Sequence, residues 1–360
     1  MTQLPLSFLD LTRIQGGDSS AETVKHSVEL AQHLEELGFV RVWFAEHHNS
    51  RGLASGSPEV MIAHIANNTS RIRVGSGGIM LPNHPPLRIA ETFRLLHAIF
   101  PDRVDLGMGR APGTDQKTAL ALRRNPEALA ADDYPELLAE LLAYDDGTMP
   151  PSHPFAGIVP IPADSKLPPV WLLGSSGFSG QLAAEVGLGY SFAAHINRQA
   201  AVPAMNLYRD HFTPSHRNPQ PHAILAVSVL IGETMDHARD LLRIAEVQMY
   251  RLLTNRQGPA PTLEEAKAAP LTELQRMQIS GMMANLFVGD AQTVVAGVRD
   301  LARNSHADEL MITTMLADQE DRFRAVDQFH KEWTGTAPDE SSHPLSAASA
   351  APTPVPGVTG

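Results

Sequence analysis

Hydrophobic and polar positions along this chain follow two periods in turn. Eight short apolar runs, rich in β-branched and aromatic residues, predict strands. These runs are Leu6–Leu11, Phe39–Ala45, Ile72–Leu81, Arg103–Met108, Val170–Leu173, Tyr190–Ala194, Ala223–Ile231 and Glu309–Thr314. Between them, apolar residues three and four positions apart predict helices. The clearest helical segments are Ala21–Leu37, Pro58–Asn68, Pro86–Phe100, Ser179–Gly187 and Asp318–Trp333.

This alternation of strand and helix predicts parallel strands joined by crossover helices. Eight strands in 360 residues favour a closed (β/α)8 TIM barrel, an α/β fold. The order of the elements alone also permits an open doubly wound sheet. The barrel would occupy residues 1–334. The Ser/Ala/Pro-rich tail, residues 335–360, has few large apolar residues and is expected to be disordered.

Two long segments interrupt the alternation. Residues 115–168, after the fourth strand, contain a helix near Pro135–Tyr144 and then a proline-rich stretch. Residues 251–285, after the seventh strand, are polar and weakly periodic. Connections that follow barrel strands lie on the active-site face. Because long connections in compact domains are usually functional or disordered, we expect each insertion to be either a lid or inert decoration.

Composition narrows the classes of function. The net charge of -12 leaves no basic footprint for nucleic acid or an anionic membrane. The absence of cysteine excludes disulfides, cysteine nucleophiles and thiolate metal sites. The N-terminus has no basic region before its apolar run, and no apolar stretch reaches the roughly 18 residues of a membrane span. These features predict a soluble, cytoplasmic protein.

The first cluster of candidate side chains follows the second predicted strand. Glu46, His47 and His48 stand directly after an apolar run. A neutral imidazole serves near pH 7 as a general base or a hydrogen-bond donor. Successive residues of extended chain point to opposite sides, so the two histidines are not expected to chelate one metal ion. The cluster is either catalytic or a pair of surface histidines beside a solvated glutamate.

Glycine, serine and arginine mark three further strand ends. Gly77 and Gly78 interrupt the third strand, where glycine serves either close ligand approach or barrel packing. Ser175, Ser176 and Ser179 open a helix after the fifth strand, and such a helix start suits a phosphate, although a plain N-cap is the alternative.

Arg110 ends the fourth strand within the sequence LGMGRAPG. The glycine spacing misses the dinucleotide fingerprint by one residue, and no acidic residue closes a following strand, so we reject a nicotinamide site there. Arg110 would instead supply a fixed cation for an anionic ligand.

These segments together resemble the bacterial luciferase-like monooxygenase family. The resemblance rests on PLSFLDL, VWFAEHHN, IRVGSGGIMLPNHPPLRIAE, RVDLGMGRAPGTD, VWLLGSSGFSGQLAAEVGLGYSFAAHI and ADELMITT, in this order and spacing. It covers roughly residues 5–330. It implies a (β/α)8 barrel that binds reduced FMN, or in some branches the deazaflavin F420, at the carboxyl ends of its strands.

The resemblance also implies roles for individual residues. His47 matches a catalytic base near the flavin, and Glu46 matches a neighbouring active-site acid, with His48 beside them. Gly77-Gly78 matches a non-prolyl cis peptide against the flavin ring, and Arg110 matches a residue that lines the pocket. The serines match the phosphate loop, which comprises Ser175, Ser176 and Ser179.

The sequence departs from the family pattern at two places. Gly109 stands where luciferase has a cysteine, so chemistry that depends on a thiol is absent. A second phosphate-binding arginine is Arg123 or Arg124, and the sequence does not choose between them. Residues 251–285 match a mobile active-site loop of the family, which supports a lid.

The function implied is oxygenation of a small organic substrate by reduced FMN and O2. A separate flavin reductase would supply the reduced FMN, since the chain carries no nicotinamide site. The alternatives are an F420-dependent hydride-transfer enzyme, which needs more basic residues for its cofactor tail, and a non-enzymatic flavin-binding protein. A homodimer is possible, and the sequence does not define the substrate.

Overall fold

A computed structural model of the chain describes residues 3–124, 133–256 and 258–335. Its strands are β1 (Leu6–Asp10), β2 (Arg41–Phe44), β3 (Arg73–Ser76), β4 (Ile79–Met80), β5 (Val104–Gly109), β6 (Val170–Gly174), β7 (Gly189–Ala193), β8 (Ala223–Ile231), β9 (Leu286–Gly289) and β10 (Glu309–Thr314). The predicted disorder of the tail concerns residues that, apart from Gly335, lie outside the described residues.

Helices fill most of the connections between these strands. They are α1 (Ser20–Glu36), α2 (Pro58–Asn67), α3 (Pro86–Ile99), α4 (Gln116–Arg123), α5 (Tyr134–Asp146), α6 (Gly177–Val186), α7 (Ala201–Asp210), α8 (Met235–Leu253), α9 (Leu263–Ala268), α10 (Glu273–Met283), α11 (Ala291–Asn304) and α12 (Gln319–Thr334). Two 3-10 turns lie at Leu81–Asn83 and Arg198–Ala200. Local chemistry sets many of the boundaries. For example, Ser19 and Glu22 form a capping box at the start of α1.

Eight of the strands close into a parallel barrel. They follow the order β1-β2-β3-β5-β6-β7-β8-β10, and β10 pairs with both β8 and β1. Leu310 of β10 lies in register with Leu6 on one side and Leu225 on the other. The predicted (β/α)8 TIM barrel is therefore confirmed, with its two long insertions after the fourth and seventh barrel strands, β5 and β8.

The barrel interior is filled in two layers. At the amino end of the strands, inward side chains form a buried ionic layer that includes Arg41, Asp105 and Glu309. Above it, Trp43 of β2 meets Trp171 of β6, with 5.8 Å between their ring centroids. Filled layers are usual for such barrels and confine chemistry to the carboxyl ends of the strands, which we call the mouth.

The structure corrects two strand predictions. The predicted strand Ile72–Leu81 is two short strands, β3 and β4, because the backbone turns at a cis peptide between Gly77 and Gly78. The short strand β9, which pairs with β8, was missed. Its apolar run, Leu286–Val288, is only three residues long and therefore shorter than the runs by which the other strands were recognised.

Candidate active site

The three candidates after β2 lie at the mouth. Nε2 of His48 is 2.7 Å from Oε1 of Glu46, so these two side chains lie together. His47, between them, is within electrostatic range of Arg13, His195, Glu46 and His48, and its Nδ1 makes no hydrogen bond to a described residue. Among the described residues, no group of three or more metal-ligating side chains is arranged to hold a metal ion.

Glu46 is the most highly bonded side chain of the site. It is 1% exposed. Oε2 accepts a hydrogen bond from the backbone N–H of Met80 at 2.8 Å and lies 2.9 Å from Nε2 of His84. Oε1 also accepts a hydrogen bond from the Asn83 amide at 3.3 Å. Its partners come from β4 and the turn after it, so Glu46 joins the β2 loop to the segment that follows the cis peptide.

We expect Glu46→Gln to lower the free energy of unfolding at pH 7 by about 2–3 kcal/mol, since an amide cannot accept all of these hydrogen bonds. Burial alone would raise the pKa of Glu46, but the bonds from His84, His48 and Met80 hold it below its usual range. The carboxylate therefore stabilises the fold above about pH 4.5, and this contribution is lost as pH falls through the lowered pKa.

Urea unfolding at several pH values measures this effect, and the gap between Glu46→Gln and the native protein should narrow below pH 4.5. Glu273→Gln, at an exposed glutamate in the first turn of α10, is the control and should change stability by under about 0.5 kcal/mol. A gap that is equal at pH 3 and pH 7 would refute the role of the charged carboxylate.

His47 lies in a basic environment. Its Nδ1 is buried and makes no hydrogen bond to a described residue. Burial and the nearby charge of Arg13 lower the pKa of His47 to about 4, against the opposing effect of Glu46. Burial likewise lowers the pKa of His195 to about 4, with Arg13 adding to the shift. Both imidazoles are therefore neutral at pH 7.

The two glycines of β3–β4 are placed by the tryptophan layer below them. A Cβ at Gly77 would lie 2.8 Å from Cδ1 of Leu9, and one at Gly78 would lie 2.8 Å from the carbonyl oxygen of Gly107. The peptide between them is cis, as the resemblance implied. The barrel-packing interpretation of the glycines is thus observed, and close approach of a ligand to them stays a prediction.

The serine-rich helix start lies beside Arg110. Ser176 is exposed and occupies the N-cap of α6 without a side-chain capping bond, while Ser179 is buried. Ser175 is half-buried, and its carbonyl accepts a hydrogen bond from the Asn197 amide at 3.2 Å. The guanidinium of Arg110 lies 4.3 Å from the ring centroid of Phe178, the second residue of α6. Hydroxyl groups, helix N–H groups and a cation therefore meet at one place, as an anionic phosphate requires.

Part of the second insertion lies over the loops of the mouth. The backbone N–H of Ala260 donates a hydrogen bond to the carbonyl of Ile14 at 3.0 Å. A Cβ at Gly52, in the β2 loop, would lie 2.5 Å from the carbonyl oxygen of Gly258, so glycine is needed for this close approach. We call residues 258–262 the cover segment. Its position is the one that a lid requires, although its motion stays a prediction.

Three further residues of this region, Arg13, His195 and Arg198, were not predicted from the sequence. Arg13 follows β1 and His195 follows β7, so both stand at carboxyl ends of barrel strands. The predicted site residues follow only the second to the fifth strands. The residues that follow the first and sixth strands include Arg13 and His195, so the sequence did carry a signal for both. Arg198 lies over the ring of Phe287, 4.7 Å from its centroid, and its neighbour Asn197 contacts the phosphate-loop candidates. It joins Arg123 and Arg124 as a possible second phosphate arginine.

Comparison with known proteins agrees with this architecture. Residues 4–309 match the luciferase-like monooxygenase family, and the chain belongs to that family. A luciferase-like monooxygenase of Escherichia coli K12 is 36% identical over 324 residues, 90% of this chain and 95% of the relative. An N-acetyl-S-alkylcysteine monooxygenase of Bacillus subtilis is 31% identical over 86% of this chain and 92% of its own.

Solved structures share the fold as well. Apo-MsnO8 matches with a TM-score of 0.83 and 34% identity over 93% of this chain and 99% of its own. Two more distant structures, at 16% and 12% identity with TM-scores of 0.65 and 0.59, share the fold alone. They are the oxygenating constituent of 3,6-diketocamphane monooxygenase in complex with FMN and an F420-dependent secondary alcohol dehydrogenase. Within the described residues, the helices are too short or too polar to cross a membrane.

Proposed function

We propose that this protein is a flavin-dependent monooxygenase that uses reduced FMN and O2 to oxygenate a small organic substrate. The observation that carries the proposal is the mouth, where a phosphate-type helix start, a flat cis-glycine segment and a buried neutral histidine lie on one face of a family barrel. In the overall reaction, one oxygen atom enters the substrate, the other leaves as water, and reduced FMN is oxidised.

The described residues suit a bound FMN. Ser175, Ser176 and the first N–H groups of α6 would hold the phosphate, with buried Ser179 supporting the loop and Arg110 adding positive charge. Gly77 and Gly78 would face the flat ring without side chains in the way. Reduced FMN, when bound, supplies the electrons that activate O2.

The chain's own residues would position the reactants and exclude water. His47 would accept or donate a proton at the reacting oxygen, since its ring is neutral at pH 7 and one nitrogen is free of protein partners. Glu46 and His48 would set the position of that loop through their hydrogen bonds. The cover segment would keep bulk water from the mouth. A separate reductase would provide the reduced flavin, and the possible homodimer stays a prediction.

Binding and isotope incorporation test this proposal. We expect anaerobic reduced FMN to bind with a Kd on the order of micromolar or tighter, and 18O2 to label the product of a substrate panel. The variant Ser175→Ala/Ser176→Ala should bind FMN about 10-fold more weakly and riboflavin, which lacks the phosphate, unchanged. Binding of F420 but not FMN would favour the hydride-transfer alternative. Flavin binding without any 18O incorporation would favour a non-enzymatic flavin-binding protein.

A further inference from the structure

Arg13 is a cation at the mouth, and the carboxylate that stands near it in sequence is paired with another arginine. Asp10, three residues earlier, is the nearest carboxylate in sequence. Its Oδ1 lies 2.8 Å from the guanidinium of Arg322 and accepts the backbone N–H of Thr12 at 2.9 Å. Its Oδ2 accepts the hydroxyl of Ser27 at 2.7 Å. Both carboxylate oxygens of Asp10 are thus already bonded to other groups. The positive charges of Arg13 and Arg322 both lie near this one carboxylate.

The described part of the chain offers Arg13 no ion pair of its own. Its Nε is buried and makes no hydrogen bond. Burial and the charge of Arg322 lower the pKa of Arg13 to about 10, although Asp10 acts in the opposite sense. Arg13 is half-buried, and a partly buried charge without a partner is costly and is rarely kept without a function. An arginine in such surroundings is typical of a binding site for an anion.

Two histidines at the mouth lie within electrostatic range of Arg13, and its charge lowers the pKa of both His47 and His195. Nδ1 of His47 is buried and unpartnered, while Nδ1 of His195 lies 3.3 Å from the carbonyl of Ala226. The carbonyl acceptor implies that Nδ1 of His195 carries its proton, so Nε2 of this neutral ring is an acceptor. Arg13 and His47 are therefore the groups of this cluster that can donate hydrogen bonds to an anion.

The topology separates Arg13 from the phosphate loop. Arg13 follows β1 and the serines follow β6, and β1 and β6 are four strands apart in either direction around the eight-stranded barrel. Arg13 and the phosphate loop are therefore on opposite sides of the mouth, whereas His195 follows β7, the strand next to β6. An FMN whose phosphate lies at α6 leaves the Arg13 side for the second reactant.

We propose that Arg13, with His47, binds a carboxylate of the organic substrate, so that the substrates of this enzyme are organic acids. This rests on the proposed function and deepens it. The backbone of the site supports the assignment, because Ile14 next to Arg13 is hydrogen-bonded to the cover segment at Ala260. A bound acid would thus lie beneath that segment.

A carboxylate at this place has a consequence for His47. Arg13 would then be balanced by an opposite charge, and one of the influences that hold the pKa of His47 near 4 would be removed. Binding of the acid would therefore raise the basicity of the candidate catalytic histidine. His47 would thus become a stronger base when the substrate is present.

The test compares acids with their uncharged methyl esters in protein saturated with oxidised FMN. Suitable probes are 3-(benzylthio)propanoate, decanoate and cyclohexanecarboxylate, each measured by calorimetry beside its ester. We expect at least one acid to bind about 10- to 100-fold more tightly than its ester, the usual range for a charge-assisted hydrogen bond at a buried site. Arg13→Gln should reduce that ratio to under about threefold, and Arg13→Lys should restore part of it.

Arg51→Gln is the matched control, since it removes the same charge from an exposed position of the β2 loop and should leave the ratio unchanged. In the native protein, 13C-histidine NMR should show the pKa of His47 rising when the acid, but not the ester, is added. This readout does not depend on how Arg13 variants fold.

Three outcomes would overturn the proposal. Acids that bind no better than esters in the native protein would show that the site does not select carboxylates. An Arg13→Gln variant with an unchanged acid-to-ester ratio would place the selection elsewhere. Loss of affinity for reduced but not oxidised FMN in that variant, with acid binding intact, would assign the cation to the anionic reduced flavin. Failure of the proposed function is separate, because it appears as absent FMN binding or absent 18O incorporation.

Discussion

Replacing Arg41 with methionine should lower the free energy of unfolding by about 3–5 kcal/mol, the usual cost of removing one partner from a buried ion pair. Nε of Arg41 donates to Oε1 of Glu309 at 2.8 Å, and a terminal nitrogen donates to Oδ2 of Asp105 at 2.8 Å. Both carboxylates are essentially unexposed, at 0% for Asp105 and 1% for Glu309. Without Arg41, each of these buried carboxylates keeps only some of the hydrogen bonds and positive charge that offset the cost of its burial.

Packing of a methionine side chain at position 41 would not replace the interactions that the guanidinium makes. The guanidinium lies 4.9 Å from the ring centroid of Trp171, and this cation–π contact would be lost with the charge. Burial by itself raises the pKa of Asp105, and Arg41 and Arg73 then lower it below its usual range. The variant should therefore bind a proton on this carboxylate more readily, and its deficit should shrink as pH falls.

Guanidinium chloride unfolding followed by tryptophan fluorescence measures the change. Arg303→Met is the matched control, because Arg303 pairs with Asp300 on the surface, where the two side chains are 57% and 70% exposed. It should cost under about 1 kcal/mol. An Arg41→Met protein within about 1 kcal/mol of the native one would show that the ionic layer is dispensable for stability.

The fold could be predicted from the sequence because the patterns that define its strands and helices are local. Each barrel strand except the broken third is a run rich in apolar residues, and the helices between them have their own periodicity and caps. The cis peptide at Gly77-Gly78 marks the limit of this reasoning, since the break in the strand depends on contacts with Leu9 and with the backbone of Gly107 from other strands. The short strand β9 was missed because only its pairing with β8 defines it.

The candidate site could be predicted only in part, because the tertiary fold determines which charged side chains pair with each other. Asp10 stands three residues before Arg13 in the sequence. In the structure Asp10 contacts Arg322, which comes from the far end of the chain. Glu46 likewise reads from sequence as an active-site acid. The structure surrounds it with donors from His48, Met80 and His84, an arrangement suited to positioning the loop.

His47 and His48 are adjacent histidines whose surroundings differ, and this makes them a sensitive test of the proposed chemistry. We expect His47→Asn to slow the release of H2O2 from protein-bound reduced FMN after an oxygen pulse by at least about 10²-fold, the lower range for loss of a general acid–base group. FMN binding should change little, since His47 lies away from the phosphate loop. His48→Asn should slow the reaction by under about 10-fold and should instead lower stability, because it removes a hydrogen bond from buried Glu46.

The pH profile distinguishes His47 from an ordinary histidine. Burial and Arg13 hold the pKa of His47 at about 4 rather than its usual 6.5. A base must be unprotonated to act, so activity should be lost only as pH falls towards 4. The rate of H2O2 release should therefore be flat between about pH 5.5 and 8, where a histidine of ordinary pKa would lose about 10-fold by pH 5.5. A rate that falls with a midpoint near 6.5 in the native protein, and that His47→Asn leaves unchanged, would assign the proton transfer to another group.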